Sequence, residues 1–154
     1  MDREQSIQFA RKYLEDILAF FGLNTVVDVS FNEEVIELTV PSTHLNGFLI
    51  GQAGATLRSL QSLITLALRQ KGAQIDRVSL DIADYKKQHA ERIAEQVHEW
   101  AKQVQVSGEN FVARPMSAAD RRTVHSVIAE QYTTLKTTSE GEDRERHVVI
   151  SLAE

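Results

Sequence analysis

Apolar positions along this chain follow two alternating rhythms. Over residues 4–21, Ile7, Ala10, Tyr13, Leu14, Ile17, Leu18 and Phe21 recur at helical spacing, and Gly22 follows them. That predicts an amphipathic helix stopped by its glycine. The period then drops to two. Residues 25–31 and 35–40 read as strands joined by a tight turn at Asn32-Glu33-Glu34, and Pro41 cannot continue a central strand. Residues 45–50 predict one or two helical turns. After Gly54, the stripe Leu57, Leu60, Leu63, Ile64, Ala67 and Leu68 predicts a helix to about Gln70, with Lys71-Gly72 as its stop. Residues 77–83 alternate, with Val78, Leu80 and Ile82 on one face and Arg77, Ser79 and Asp81 on the other. The order α-β-β-α-loop-α-β makes helices on a three-stranded sheet, closing near Ala83.

A long helix is expected next, from about Asp84 to Val104, burying Ile93, Val97, Trp100, Ala101 and Val104. Ser107-Gly108 ends it. Residues 110–114 predict a short strand cut by Pro115. Ser117 is a good helix N-cap with Asp120 three positions on, close to a capping box, and the helix runs to about Gln131. Residues 133–138 and 147–152 read as strands, joined by a polar hairpin turn over Ser139-Glu140-Gly141-Glu142-Asp143. The prediction is an α+β chain of two modules, residues 1–83 and 84–154, meeting at a helix start.

Composition narrows the function. The 154 residues are 42% apolar and 25% charged, which suits a globular chain. No apolar run approaches the ~20 residues of a membrane helix, so no membrane insertion is expected. The first residues do not resemble a signal peptide. The absence of cysteine excludes disulfides and thiolate metal sites. A cytoplasmic location is the resulting expectation. The formal charge is −5, with 7 basic and 10 acidic side chains in residues 1–83 and 10 and 12 in residues 84–154. This opposes strong nonspecific binding to polyanions, whose affinity comes mainly from Lys and Arg on phosphates. Any nucleic-acid site must therefore be a local patch. There is no H-E-x-x-H, no carboxylate cluster of metal-site type and no G-x-S-x-G. Neither a catalytic residue, a metal site nor a cofactor is expected.

One local motif carries chemistry. Gly51-Gln52-Ala53-Gly54 is entered by the apolar run Phe48-Leu49-Ile50 and left by a helix. Glycines let a backbone approach a ligand closely, and the following helix turns unpaired N–H groups and a positive dipole end toward the loop. Such a loop suits a phosphodiester backbone. It equally suits a plain turn that needs positive φ. A second motif is Arg121-Arg122-Thr123-Val124-His125, whose Arg121 and His125 share one helix stripe.

With both motifs in order, the first half resembles a type II (prokaryotic) KH domain, and the second half resembles an R3H domain. Arg114-Pro115-Met116-Ser117, Arg121 to His125, Ser139-Glu140-Gly141-Glu142 and Arg146-His147-Val148-Val149-Ile150 are similar to the Jag family, the bacterial KH–R3H proteins also called KhpB or SpoIIIJ-associated. The resemblance covers nearly the whole chain. It implies single-stranded RNA binding in the cytoplasm, post-transcriptional control affecting cell growth or division, and a smaller KH protein as heterodimer partner. Two departures stand out. Family loops commonly hold Lys or Arg between the glycines, where this chain has Gln52 and Ala53. Many members also carry a domain ahead of the KH module, whereas this chain opens at the KH helix.

Carried onto these residues, the resemblance implies a groove that holds roughly four nucleotides. It is built by Ile50, Gly51, Gln52, Ala53, Gly54, Thr56 and Arg58. Arg58 reads equally as a phosphate ligand or a solvated charge. The second face is implied to use Arg121, Arg122 and His125, with Arg114, Arg144, Arg146 and His147 gathering near them if the hairpin folds over the helix. Asp placed at Gly51 and Gly54 is expected to abolish binding while the fold persists. Trp100 and Phe111 read as core before base-stacking platforms. Two rival functions remain. One is a protein-interaction scaffold with a degenerate loop that pairs with another KH protein. The other is a single-stranded DNA binder.

Overall fold

A computed structural model describes residues 1–154. The chain is mixed α/β and divides into two compact units, Met1–Lys86 and Lys87–Glu154.

The first unit opens with α1 (Arg3–Phe20). The Asp2 carboxylate accepts from the Gln5 N–H at 2.8 Å, and Gln5 Oε1 accepts from the Asp2 N–H at 3.0 Å. This reciprocal cap satisfies two of the donors a helix start leaves open. Ala10, Leu14 and Leu18, each four residues from the next, form its buried stripe. The helix closes where the Leu23 N–H returns to the Leu18 carbonyl. Strand β1 (Asp28–Asn32) is shorter than the expected run from residue 25. The Val27 N–H donates to the Glu15 carboxylate of α1 at 3.1 Å, so this stretch is tied to the helix rather than to a strand. Strand β2 (Val35–Val40) follows a two-residue turn, Glu33-Glu34, with both φ angles positive at 47° and 65°. Hairpins favour such turns because their twist matches that of the strands, although glycine or asparagine usually fills them.

Helices α2 (Asn46–Ile50) and α3 (Ala55–Gln70) cross to β3 (Val78–Ile82). The sheet order is β1-β2-β3, antiparallel then parallel. Leu57, Leu60, Ile64 and Leu68 of α3 pack with α1 on Ile36, Leu38, Val40, Leu80 and Ile82. Leu38 lies opposite Leu80 in register, the Ile36 N–H bonds to the Arg77 carbonyl and the Ala83 N–H to the Val40 carbonyl. Val78, Leu80 and Ile82 therefore turn their own backbone groups to the open edge of β3. Two of those donors are met by side chains, Leu80 N–H by Gln61 Oε1 and Ile82 N–H by Asp81 Oδ1, each at 2.9 Å.

Helix α4 (Tyr85–Ser107) begins with the last two residues of the first unit and continues as the first helix of the second, where it runs three residues past its expected end and buries Ile93, Val97, Ala101 and Val104. Strand β4 is only Phe111–Val112, and α5 spans Ala118–Gln131. Ser117 Oγ accepts from the Asp120 N–H at 3.2 Å, but the Asp120 carboxylate bonds to His89 at 3.0 Å. The start of α5 is thus a simple N-cap, with the acid of the expected box used elsewhere. Strands β5 (Leu135–Glu140) and β6 (His147–Leu152) complete an antiparallel sheet in the order β4-β6-β5. Here the expected turn moves. Ser139 and Glu140 are strand residues, opposite Val148 and His147, and the reversal lies at residues 141–146. Trp100 and Phe111 stack at 5.0 Å between ring centres and pack against the core of this unit. No helix is long and apolar enough to cross a membrane.

Candidate nucleic-acid interface

Buried Leu49 anchors α2, and half-buried Ile50 packs on the same core. The backbone then turns sharply. Gly51 has φ 73° and ψ 179°, residues Gln52–Gly54 make one 3₁₀ turn, Ala53 sits at φ 51°, and Gly54 at φ 76° starts α3. Gly51 is required twice over. Its φ disfavours any residue with a Cβ, and a Cβ there would collide with the Thr56 side chain and backbone nitrogen. At Gly54 a Cβ would lie 3.0 Å from the Tyr85 ring and 3.3 Å from the Arg58 guanidinium. The expectation that Asp at both glycines leaves the fold intact is therefore corrected. At Gly51 the first turn of α3 must shift.

Gln52 and Ala53 form the exposed crest of the loop. No side chain caps α3; the loop itself meets its first donors, the Gly54 N–H donating to the Gly51 carbonyl at 3.3 Å and the Ala55 N–H to the Gln52 carbonyl, while the positive dipole end of the helix stays directed at the loop. Arg58 is not simply solvated. Its Nη1 donates to the Ala53 carbonyl at 2.7 Å, which holds a cation beside the crest. Thr56 lies half-buried behind Gly51. Ile50, Gly51, Gln52, Ala53, Thr56 and Arg58 thus reach one surface, whereas Gly54, expected in the same groove, is buried beneath the Tyr85 ring and the Arg58 guanidinium and serves to shape the loop. Its charge is that of Arg58 alone, because the crest is neutral.

The second site is assembled from distant segments. Arg121 Nε donates to the Met116 carbonyl at 3.3 Å, and the Met116 N–H donates to the Arg146 carbonyl at 3.1 Å. Arg146 Nη1 donates to the Gly141 carbonyl at 2.9 Å. A guanidinium has five N–H donors, so each arginine keeps several unspent. His125 faces β5, where Nδ1 lies 2.6 Å from Thr137 Oγ1 and Nε2 lies 2.9 Å from Ser139 Oγ. Burial, then the charge of Arg121, then that of Arg146, hold the imidazole below its ordinary pKa of 6.5. The neutral ring fits this setting, one nitrogen donating and the other accepting.

The other predicted residues sit apart from that cluster or at its margin. Arg114 Nη2 bonds to Gln96 Oε1 at 3.0 Å and the guanidinium lies over Trp100, 5.9 Å from the ring centre, so it is engaged with α4. Arg122 is exposed one position round the helix from Arg121. Arg144 is exposed in the short turn Asp143–Glu145, flanked by acids. His147 Nδ1 lies 2.8 Å from the Glu145 carbonyl. Sequence reasoning missed Thr137 and Ser139. Their signal was present as two hydroxyls spaced by two on a strand face, but ending the strand at residue 138 hid it. It also missed Gln61, which covers the edge of β3.

Residues 87–152 match the R3H domain family. The whole chain is similar to three bacterial relatives, each named RNA-binding protein KhpB. The relative from Clostridium symbiosum is 32% identical over 154 residues, covering 97% of this chain and 68% of that protein. The Bacillus subtilis relative is 28% identical over 156 residues, covering 98% and 73%. The Lactiplantibacillus plantarum relative is 28% identical over 149 residues, covering 97% and 46%, so this chain spans about half of its length.

Proposed function

Because the chain belongs to the KhpB family, we propose that it binds single-stranded RNA without catalysing a reaction on it. In this reading the first unit is a type II KH module and the second is the R3H module. The observation that carries it is the gathering of Arg121 and Arg146 at one face of an acidic chain. Guanidinium groups fork onto phosphate oxygens, and a chain with net charge −5 needs such a focus to hold a polyanion. The loop at Gly51–Gly54 would hold about four nucleotides along its exposed Gln52-Ala53 crest, since the Gly51 and Gly54 N–H groups are bonded to the Gly47 and Gly51 carbonyls. Arg122 and Arg144 would add peripheral phosphate contacts, and Arg114 would reach the strand only by leaving Trp100. Two weak sites on one chain raise each other's effective concentration. A cytoplasmic protein acting in post-transcriptional control, with consequences for growth or division, is the role this reading extends to.

Fluorescence anisotropy with a short randomised single-stranded RNA at two salt concentrations tests it. Wild type should bind, more weakly at higher salt. Arg121→Ala with Arg146→Ala should weaken binding at least ~10-fold, since two charge-assisted contacts are lost, and should flatten the salt dependence. An unchanged affinity would remove this face from the site. A matched DNA oligomer competing equally well would make the ligand single-stranded nucleic acid in general, because the 2′-OH would then go unread.

A second reading rests on a separate observation. Leu63 and Leu66 on the outer face of α3 are 48% and 59% exposed. Together with the neutral Gln52-Ala53 crest, they favour a scaffold that pairs with another KH protein. Loss of self- or partner association on Leu66→Glu, with RNA affinity unchanged, would support it.

A further inference from the structure

Helix α5 and strand β5 meet through one side chain. Thr137 and Ser139 alternate with exposed residues along β5, so both hydroxyls stand on the face toward α5. The His125 ring spans them with a nitrogen on each, at 2.6 and 2.9 Å. All the polar atoms of the ring are thereby used, and none is left for a phosphate oxygen. Thr137 pairs with Ile150 of β6 and Ser139 with Val148. Whatever fixes β5 thus also fixes the start of β6, where Arg146 immediately precedes His147. The Arg146 carbonyl holds Met116, whose own carbonyl holds Arg121. The chain of contacts from His125 closes on the two arginines without His125 reaching outward.

We infer that His125 does not touch the nucleic acid: it is a positioning residue that ties α5 to β5 through Thr137 and Ser139, so that Arg121 and Arg146 present their guanidinium groups together. This rests on the RNA reading above and deepens it. Two of the conspicuous residues of the motif divide the labour, the arginine facing the ligand and the histidine facing the protein. Thr137 and Ser139 become part of the binding face although neither meets RNA.

The charged groups around the ring are Arg121 on α5 and Arg146 at the entry to β6. Both are cations, and both would favour a neutral ring while they remain unneutralised. A phosphate on the two arginines would cancel that influence whether or not it touches the ring, so the hydrogen-bond partners of the ring, and not its charge, tell the two apart. Nitrogen-detected NMR of the imidazole in the full chain, with and without saturating single-stranded RNA, reads those partners. The expected result is that both ring nitrogens keep their hydrogen bonds to Thr137 and Ser139 when RNA is added, while the side-chain Nε–H signals of Arg121 and Arg146 move. Exchange of either hydroxyl partner for an RNA oxygen would overturn the assignment.

Variants supply an independent arm. Thr137→Val with Ser139→Ala leaves His125 in place and removes only its anchors. It should weaken RNA binding by the same factor as His125→Ala, several-fold, and His125→Asn should recover part of the loss. Wild-type affinity in the Thr137→Val/Ser139→Ala chain would overturn the inference, because a histidine that contacts RNA directly does not need those hydroxyls. The NMR arm uses the unaltered chain, so a variant that fails to fold leaves the question decided. Absence of any binding by wild type would instead overturn the RNA reading, and this inference with it.

Discussion

The glycine loop of the first unit and the arginine–histidine face of the second offer an anion opposite kinds of surface. The loop is made of backbone. Gly51 and Gly54 shape it, Gln52 and Ala53 form a neutral crest, and one cation, Arg58, is folded onto the Ala53 carbonyl. The second face is made of side chains. Arg121 and Arg146 bring charge, and His125 spends both ring nitrogens on Thr137 and Ser139. A backbone site depends on the conformation of its loop and brings little charge of its own. A side-chain site depends on charge and on the tertiary contacts that hold it. The two should therefore fail in different ways when altered.

The largest expected effect is at Gly51. Gly51→Ala forces a Cβ into Thr56 at a φ that L-residues resist, and should cost the first unit at least about 2 kcal/mol. Differential scanning calorimetry or urea unfolding would read it. If Gly51→Ala is as stable as wild type, the loop is not conformationally fixed and the contrast collapses.

Ala53 allows a sharper test because it is exposed and already in the left-handed region, which Asp and Asn tolerate comparatively well. Ala53→Asp should lower RNA affinity roughly 10-fold without loss of stability, and Ala53→Lys should raise it several-fold by restoring a charge-assisted contact. Both changes are measured by anisotropy at low salt. Equal affinities for the two variants would mean that the loop does not meet a phosphate.

The smallest expected effect is a pH dependence confined to the second unit. The folded pKa of His125 lies below the unfolded value of 6.5. Below 6.5 the unfolded chain then binds more protons than the folded one, so the neutral ring contributes stability that is complete above pH 6.5. That contribution is lost as pH falls through the depressed folded pKa. Thermal unfolding of wild type and His125→Asn between about pH 5 and pH 8 checks this. The melting temperature of wild type should fall further on the acid side, and parallel curves would remove His125 as the cause.

Much of the fold was legible in the chain because it rests on local periodicity. The stripes on α1 and α3, the alternation of β3 and the stop at Gly22 need only neighbours within one or two turns. The boundaries that moved were set by partners far away. The strand start at residue 25 yielded because Glu15 captures the Val27 N–H. The turn at Ser139 yielded because β6 and His125 hold that residue in a strand. The capping box at Ser117 stayed half-made because Asp120 is drawn to His89.

The candidate sites divide in the same way. Gly51-Gln52-Ala53-Gly54 and its flanking apolar run are contiguous, so the sequence alone determined that a tight glycine loop precedes an amphipathic helix. It also determined the charge that such a loop lacks. Which arginines share a face was beyond it, because Arg121 and Arg146 are separated by a helix, a hairpin and a strand, and only the pairing of β5 with β6 brings them together. The direction in which His125 points was decided there as well. A helix stripe is consistent with a ring turned to solvent or to the sheet, and the two hydroxyls of β5 select the sheet because they satisfy both nitrogens of a partly buried ring.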